Sequence, residues 1–292
     1  MEIPGVLDSL NITVLADDCV LYESPYLGQH GASFLLEGMT GSDTKRILVD
    51  VGQNFEALLH NMRAMDISPS VIDAVVLTHC HYDHTQGVAR LLKEIGRKDT
   101  RVIAHQAIFR PHFVTEPYRR DAGIQPGDSR AELEKIGFKL SLSRDPVVIM
   151  PGIMTTGEVK RRTDFEKVTV GVKTMENGKV VDDLMLDDIS VVANVRRKGL
   201  VIVTGCSHAG IVNITNQAIE LTDCKKLEGI IGGLHLIESS DDVINRTADA
   251  LFKLNVARIS AGHCTGFKAQ AALYRVFGER FMPLRTGLRF EY

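Results

Sequence analysis

The chain has 292 residues, of which 44% are apolar and 24% are charged, and its formal net charge is −3. This size and composition suit one large folded domain spanning residues 1–292, and the slight negative charge gives no reason to expect a nucleic-acid surface. The sequence lacks both a secretion signal and an apolar run of about 18 residues, so we expect no membrane span and no membrane partner.

The five cysteines lie far apart along the chain, at Cys19, Cys80, Cys206, Cys224 and Cys264. An odd and scattered set does not predict a disulfide framework, so a reducing cytoplasm is the expected setting. Three of them, Cys80, Cys206 and Cys264, lie beside histidines, which makes them candidate neighbours of any metal site that those histidines form.

Short apolar runs alternate with amphipathic segments along most of the chain. In the first third, strands are predicted at residues 11–16, 32–36, 46–51, 72–77 and 101–104, and helices at 54–65 and 87–95. In the last third, strands are predicted at residues 199–203, 229–231 and 257–260, and helices at 211–221 and 241–254. Asp241 is the predicted N-cap of the last of these helices.

Residues 105–187 have a different character, with several prolines, many charges and weak periodicity. We expect this segment to be an insertion of helix and hairpin that covers the site. An ordinary peripheral elaboration is the alternative.

The densest group of candidate metal ligands follows the predicted strand at 72–77, in Thr78-His79-Cys80-His81-Tyr82-Asp83-His84. Alternate residues of an extended strand end point the same way, so His79 and His81 can bind one metal ion together. The chain must then turn, which lets Asp83 and His84 face a second position. Imidazole and carboxylate ligands suit zinc, iron or manganese. The segment therefore predicts one or two divalent metal ions, with zinc favoured.

Three further histidines lie at the ends of later predicted strands. His208 and His263 are each flanked by glycines, which permit close backbone approach to a metal ion, and they are the natural completing ligands. His235 follows two glycines and can ligate a metal, move a proton or bind substrate.

Asp50 also closes a predicted strand, and strand ends in layered α/β folds open into the crevice where ligands bind. Its carboxylate can orient a ligating imidazole from behind, or it can cap the turn that precedes Gly52. For His30 and His105 we expect roles in the core or on the surface.

The motif His79-x-His81-x-Asp83-His84 after a strand, with distant glycine-flanked histidines, resembles the metallo-β-lactamase superfamily. Residues 204–210, 232–236 and 262–266, with Thr156-Gly157-Glu158 and Asp187-Asp188, resemble the subgroup named for dihydropterin-ribofuranosylaminobenzene phosphate synthase. The resemblance spans nearly the whole chain. It implies an α/β fold, the four-layer αββα sandwich with two mixed sheets and metal ions at the edge between them.

The family's ligand pattern places His79, His81 and His208 around one metal ion, and it places Asp83, His84 and His263 around a second. Hydrolases of this fold usually carry a bridging aspartate in a Gly-Asp context after the later strand, whereas this chain has Gly205-Cys206. Either Cys206 ligates metal as a soft thiolate, which favours zinc, or water takes the bridging position.

Three functions are compatible with these residues, and the first two act on a small-molecule substrate. The first is a metal-dependent hydrolase of a phosphoester or related ester, in which a metal-activated water attacks and Asp83 or His235 handles the proton. The second is a transferase like the subgroup's namesake, in which an aryl nucleophile displaces pyrophosphate from a pterin diphosphate. There Lys160, Arg161 and Arg162 would contact the diphosphate. The third is a non-catalytic or redox metal protein, which the histidine-dominated donor set disfavours.

Overall fold

The computed structural model describes residues 5–168 and 171–292. The strands in chain order are β1 (Ser9–Ala16), β2 (Ser33–Thr40), β3 (Asp43–Val49), β4 (Ala74–Leu77), β5 (Arg101–Ala104), β6 (Phe113–Val114), β7 (Arg120–Asp121), β8 (Lys139–Leu142), β9 (Val148–Met150), β10 (Ile153–Thr155), β11 (Val172–Glu176), β12 (Lys179–Asp182), β13 (Ser190–Val195), β14 (Gly199–Thr204), β15 (Leu227–Gly233), β16 (Arg258–Gly262), β17 (Phe281–Pro283) and β18 (Arg289–Glu291).

The α-helices are α1 (Phe55–Ala64), α2 (Tyr82–Thr85), α3 (Val88–Ile95), α4 (Arg130–Ile136), α5 (Ile211–Thr222), α6 (Asp241–Lys253) and α7 (Phe267–Phe277). Within residues 5–168 and 171–292, no helix combines the length and the apolar character that crossing a bilayer requires.

Two large mixed sheets form the body of the protein. The first has seven strands in the order β18-β1-β2-β3-β4-β5-β8, and its β3, β4, β5 and β8 run parallel. The second has seven strands in the order β17-β16-β15-β14-β13-β10-β9, and its β14 to β17 run parallel. Parallel strands β4 and β14 are buried at every position, which explains why both read as continuous apolar runs in the sequence.

Three apolar clusters define the layers. Between the sheets lies a core that includes Phe34 and Val203. Leu58 belongs to a second cluster, in which α1, α3 and α4 pack on the outer face of the first sheet. Leu251 belongs to a third, in which α5, α6 and α7 pack on the second sheet. This is the predicted four-layer αββα sandwich, and the predicted fold is confirmed.

Helix starts follow side-chain capping. Asn54 caps α1, because its side chain accepts hydrogen bonds from the backbone of Glu56 and Ala57. The predicted cap of α6 is wrong by one residue: Ser240 is the N-cap and accepts from Val243 N at 3.4 Å. Asp241 lies instead in the first turn, where its charge favours the helix dipole.

Only part of the 105–187 segment stands apart from the two large sheets. β8 extends the first sheet beside β5, and β9 and β10 extend the second beside β13. The strands β6, β7, β11 and β12 form a separate four-stranded sheet in the order β12-β11-β6-β7, which we name the cover sheet. β6 and β7 have two residues each, and β11 and β12 bury few side chains, so these strands lack the apolar pattern that separates a strand from a loop in the sequence.

Candidate metal centre

The residues predicted to bind metal converge where parallel strands of the two sheets end. The segment from His79 to His84 follows β4 of the first sheet, while His208, His235 and His263 follow β14, β15 and β16 of the second. His235 and His263 have φ angles of 44° and 46°, in the left-handed region that non-glycine residues rarely adopt. Such strain persists where surrounding packing over-determines the backbone, as it does at functional sites.

We name His79, His81 and His208 the first half of the centre. His79 Nε2 lies 3.1 Å from His81 Nδ1. The ring centroid of His208 lies 4.8 Å from that of His79 and 4.7 Å from that of His81. The buried His208 Nε2 has no hydrogen-bond partner among the described residues.

We name Asp83, His84 and His263 the second half. His84 Nε2 and His263 Nε2 are 3.3 Å apart. Asp83 Oδ2 lies 3.2 Å from His263 Nε2 and 3.6 Å from His84 Nε2. All three residues are buried. The structure therefore brings together both ligand sets that the sequence predicts.

The buried Asp50 carboxylate orients one ring of each half. Its Oδ2 accepts hydrogen bonds from His84 Nδ1 at 2.8 Å and from Thr78 Oγ1 at 2.6 Å. Because the Thr78 hydroxyl donates to Asp50, its oxygen is left to accept from His79 Nδ1 at 3.0 Å. The Nε2 lone pairs of His79 and His84 are thereby turned toward the site, the role that an orienting carboxylate plays behind metal ligands.

The donor set fits a divalent cation. Asp18 Oδ1 lies 3.1 Å from His263 Nδ1 and can accept its hydrogen, which leaves His263 Nε2 facing the site. In the first half, the His79 Nε2 lone pair faces His81 Nδ1 at 3.1 Å, and the buried His208 Nε2 has no hydrogen-bond partner among the described residues, as befits a ligand atom. Imidazole nitrogens with one carboxylate are the ligands that zinc, iron and manganese take in proteins.

Cys206 lies between the halves. Its Sγ is 3.2 Å from His84 Nε2, and it shares ligand-forming distance with His79 and His208 and also with His84 and His263. Burial and the neighbouring Cys264 raise the pKa of the Cys206 thiol. The thiol therefore occupies the place in which the superfamily's bridging aspartate was expected.

The two halves differ in how the protein sets their protonation. Burial, with neighbouring imidazoles, lowers the pKa of His79, His81 and His208, so these rings are neutral at neutral pH. For His263, burial also acts to lower the pKa, but the negative neighbours Cys264, Asp18 and Asp83 outweigh it and raise the pKa.

A cleft of about 770 Å³ opens over the centre. Its walls include His81, Asp83, Cys206, His235 and His263 from the centre, and Val114, Arg120 and Lys173 from the cover sheet. The cover sheet thus contributes the lysine and the arginine of this cleft. The structure also places His30 in the cleft wall, half exposed and with its Nε2 3.4 Å from Asp83 Oδ2, rather than in the core or on an unrelated surface.

His235 faces this cleft from the side of the first half. Its ring centroid lies 4.1 Å from that of His208. Burial and the nearby His263 lower the pKa of His235 to about 4. The ring is therefore neutral at neutral pH and can accept a proton.

The basic segment Lys160, Arg161 and Arg162 lies outside the cleft, contrary to the predicted substrate contacts. Arg161 is partly buried and donates to the carbonyl oxygens of Leu184 and Met185. The Lys160 and Arg162 backbone amides donate to side chains of α5, and the Arg162 side chain forms an ion pair with Glu220. This basic segment therefore has a structural role, because its backbone is hydrogen-bonded to α5.

Several residues of the site were missed by sequence reasoning. His112 Nε2 lies 2.8 Å from His81 Nε2, and His112 Nδ1 lies 2.8 Å from Asp183 Oδ2. The one available signal was that His112 and His105 are the two histidines of the 105–187 segment, which was expected to cover the site.

Asp187 and Asp188 accept hydrogen bonds from the backbone of the two turns that carry the ligands of the first half. Asp187 Oδ2 accepts from Cys80 N, and Asp188 Oδ2 accepts from Ala209 N, each at 2.8 Å. Both carboxylates are buried. The pair therefore holds the backbone next to His79, His81 and His208.

Comparisons with known proteins agree with this geometry. A family model described as the metallo-beta-lactamase superfamily matches residues 28–174. A Methanocaldococcus jannaschii protein named 7,8-dihydropterin-6-methyl-4-(beta-D-ribofuranosyl)-aminobenzene-5'-phosphate synthase is 42% identical over 286 residues, covering 97% of each chain.

Among solved structures, a metal-dependent hydrolase of the β-lactamase superfamily is 28% identical, with a TM-score of 0.80 and coverage of 97% of this chain and 99% of its own. The short form of human tRNase Z shares the fold, with 11% identity, a TM-score of 0.54 and coverage of 96% of this chain and 98% of its own. The chain belongs to the metallo-β-lactamase superfamily and is one of its enzymes.

Proposed function

We propose that this enzyme is a transferase that joins a dihydropterin-6-methyl group, supplied as its diphosphate, to the amino group of a ribofuranosylaminobenzene phosphate. The observation that carries this proposal is the 42% identity, over 97% of both chains, to the Methanocaldococcus jannaschii synthase. The hydrolase that the sequence predicted first becomes the second candidate.

The reaction sets three tasks for the protein. A C–N bond forms between the aryl amine and the methylene carbon, while the C–O bond to the diphosphate breaks and its electron pair leaves with pyrophosphate. The proton of the attacking nitrogen goes to a base. The protein must therefore hold two substrates in line, bind a highly charged leaving group and accept one proton.

The two halves of the centre are the residues that would hold the metal. Bound there, a divalent cation would supply Lewis-acid stabilisation of the charge that develops on the leaving oxygen. Asp83 and His263 of the second half line the cleft together with His81 and Cys206, so the leaving group would lie at the floor of the cleft.

Arg120 and Lys173 would bind the outer oxygens of the diphosphate. Both lie in the cleft wall opposite the centre. Lys173 Nζ lies 2.5 Å from the exposed Asp182, whereas Arg120 forms no ion pair with the described residues. A guanidinium can bind phosphate oxygens in a bidentate manner, and this geometry favours Arg120 as the stronger contact.

His235 would accept the proton of the attacking amine. It lies in the cleft wall, and its lowered pKa keeps the ring neutral at neutral pH. An arylammonium is a strong acid compared with an alkylammonium, so a weakly basic imidazole is sufficient to deprotonate it.

Hydrolysis is the second candidate because water can reach the centre. The His30 side chain is 51% exposed at the cleft wall, and the solved structure with a TM-score of 0.80 is described as a metal-dependent hydrolase. In that reaction water replaces the aryl amine, and the same residues contact the leaving group.

The deciding measurement is pyrophosphate release from hydroxymethyl-dihydropterin diphosphate by metal-replete protein, with and without the ribofuranosylaminobenzene phosphate. We expect release that depends on the aryl partner, together with a coupled product. Release at the same rate without the partner would assign the hydrolase. No release under either condition would reject both activities on this substrate.

Arg120 and its neighbour Arg119 form a matched pair of variants. Arg119 lies with its guanidinium 4.7 Å from the Phe113 ring centroid and does not line the cleft. Because a hydrogen bond to a charged group contributes about 1.5–3 kcal/mol, Arg120→Ala should raise KM for the diphosphate substrate at least about tenfold. Arg119→Ala should leave it unchanged. Equal effects in the two variants would contradict the assigned diphosphate contact.

A further inference from the structure

A closed cycle of buried and partly buried contacts begins and ends on the metal-binding segment. His81 Nε2 meets His112 Nε2, and His112 Nδ1 meets Asp183 Oδ2, both at 2.8 Å. Arg110 donates to both Asp183 oxygens at 2.6 and 2.9 Å, and its Nη2 lies 2.7 Å from Asp187 Oδ1. The other oxygen of Asp187 accepts a hydrogen bond from the backbone N–H of Cys80, which closes the cycle of contacts.

The hydrogen-bonding capacity of these groups sets the direction of each bond. Asp183 is held as a carboxylate: burial raises its pKa, but the hydrogen bonds from His112 and Arg110 outweigh burial and lower it. A carboxylate only accepts, so His112 Nδ1 carries a hydrogen. In the neutral form of the His112 ring, Nε2 is then an acceptor, and the hydrogen shared with His81 belongs to His81 Nε2.

This direction decides which nitrogen of His81 faces the centre. With its hydrogen on Nε2, His81 presents a lone pair on Nδ1, the atom 3.1 Å from His79 Nε2. The opposite tautomer would place a hydrogen between the two rings, where a metal ion would have to bind.

We propose that His112 is a positioning residue for His81, accepting its Nε2 hydrogen and thereby presenting its Nδ1 lone pair to the first half of the centre. This role concerns the metal centre and holds for a transferase and a hydrolase alike. Asp183 and Arg110 hold His112 in place.

The same contacts also connect the cover sheet to the metal centre. His112 directly precedes β6, and Asp183 directly follows β12. The chain entering the cover sheet and the chain leaving it therefore meet at the contact between His112 and Asp183, next to His81. The contacts that align His81 thus also hold the sheet that carries Arg120 and Lys173.

His105 provides a matched control within the same segment. It is buried to 1% exposure, compared with 3% for His112, and it pairs with Glu158 at 3.2 Å as His112 pairs with Asp183. Its two ring nitrogens contact Glu158 and the backbone of Ala107. Replacing it removes a partly buried histidine–acid pair without touching either half of the centre.

The test measures zinc affinity of the purified full chain by competition with a chromophoric chelator, and the visible spectrum of the cobalt-substituted protein. His112→Phe should weaken zinc binding in the first half by roughly 10–100-fold and shift the cobalt bands, as loss of an orienting partner does at other metal sites. His112→Gln should recover much of the affinity, because its amide oxygen can accept the His81 hydrogen. His105→Phe should keep the parent zinc affinity.

Parent-like zinc affinity in His112→Phe would overturn the proposal, and so would an equal loss in His112→Gln. If His112→Phe does not fold, Asp183→Asn takes its place, since it keeps the size of the side chain and removes the charge that holds the His112 hydrogen. Weaker zinc binding with a shifted cobalt spectrum is then expected. Unchanged affinity in that variant would equally overturn the proposal.

Discussion

The two halves of the centre are built from similar residues in different electrostatic surroundings. The first half has three imidazoles whose pKa values are lowered by burial and by neighbouring imidazoles. In the second half, the neighbouring Cys264, the Asp18 carboxylate behind His263 and the Asp83 carboxylate outweigh burial and raise the pKa of His263. The first half is therefore already deprotonated for a cation, whereas the second half must release a proton as the metal binds.

The largest expected effect comes from removing a ligand of the first half. His81→Ala loses both the Nδ1 donor and the contact with His112, so we expect loss of one metal equivalent per chain and of all turnover. Metal analysis after dialysis, with His105→Ala as the control, measures this. Full activity in His81→Ala would remove the basis for the ligand assignment.

His263→Ala tests the independence of the second half. We expect it to lose the metal of the second half and retain that of the first, because the first half takes none of its donors from His263. Zinc stoichiometry at pH 6 and pH 8 in the parent should show the second equivalent binding more tightly at pH 8, because the metal must displace the proton that the raised pKa of His263 retains. Loss of both equivalents from His263→Ala would show that the halves are not separable.

Cys206→Ser tests the position between the halves. If the Sγ atom binds metal, the cobalt-substituted parent shows a thiolate charge-transfer band that the variant lacks, and zinc affinity falls about tenfold. Cys264→Ser is the control, since Cys264 Sγ accepts from His235 N rather than facing the ligand nitrogens. A band that survives in Cys206→Ser and disappears in Cys264→Ser would reverse the assignment.

The smallest expected effect is on the free energy of unfolding and comes from Asp188, which is hydrogen-bonded to the backbone next to His208. Burial raises the pKa of Asp188 to about 7, and the nearby Asp187 adds to the shift. Because the folded pKa lies above the ordinary value of 3.8, the stabilisation is complete below pH 3.8 and is lost as pH rises through 7.

Asp188→Asn keeps an acceptor for Ala209 N without this titration. Between pH 5 and 8, the unfolding free energy of the metal-free parent should therefore fall relative to the variant by roughly 2 kcal/mol. Urea unfolding at both pH values measures the difference. Parallel pH profiles for the two proteins would mean that Asp188 does not titrate in this range.

Local sequence patterns were sufficient to predict most helices and strands of the sandwich. Helices α1, α3, α5 and α6 and strands β1, β4, β5, β14 and β16 lie within a few residues of their predicted bounds, because apolar periodicity and turn residues report burial directly. For residues 105–187 the sequence predicted only an insertion of helix and hairpin over the site, and neither the strands of the cover sheet nor their order was predicted. The sheet's two local pairs, β6–β7 and β11–β12, join across about sixty residues, as Phe113 does with Lys173, and nothing local encodes such a partner.

The sequence by itself determined the superfamily, the fold and the set of histidines and acids from which the centre is built, because core packing alone rarely places so many metal-binding side chains at one strand end. Only the tertiary structure decided what surrounds that set. His112, Asp183 and Asp18 come from segments without a motif, and Arg120 rather than Arg161 lines the cleft. The reason is physical: an isolated side chain acquires its role from the groups that folding places around it, and its neighbours in sequence do not specify those groups.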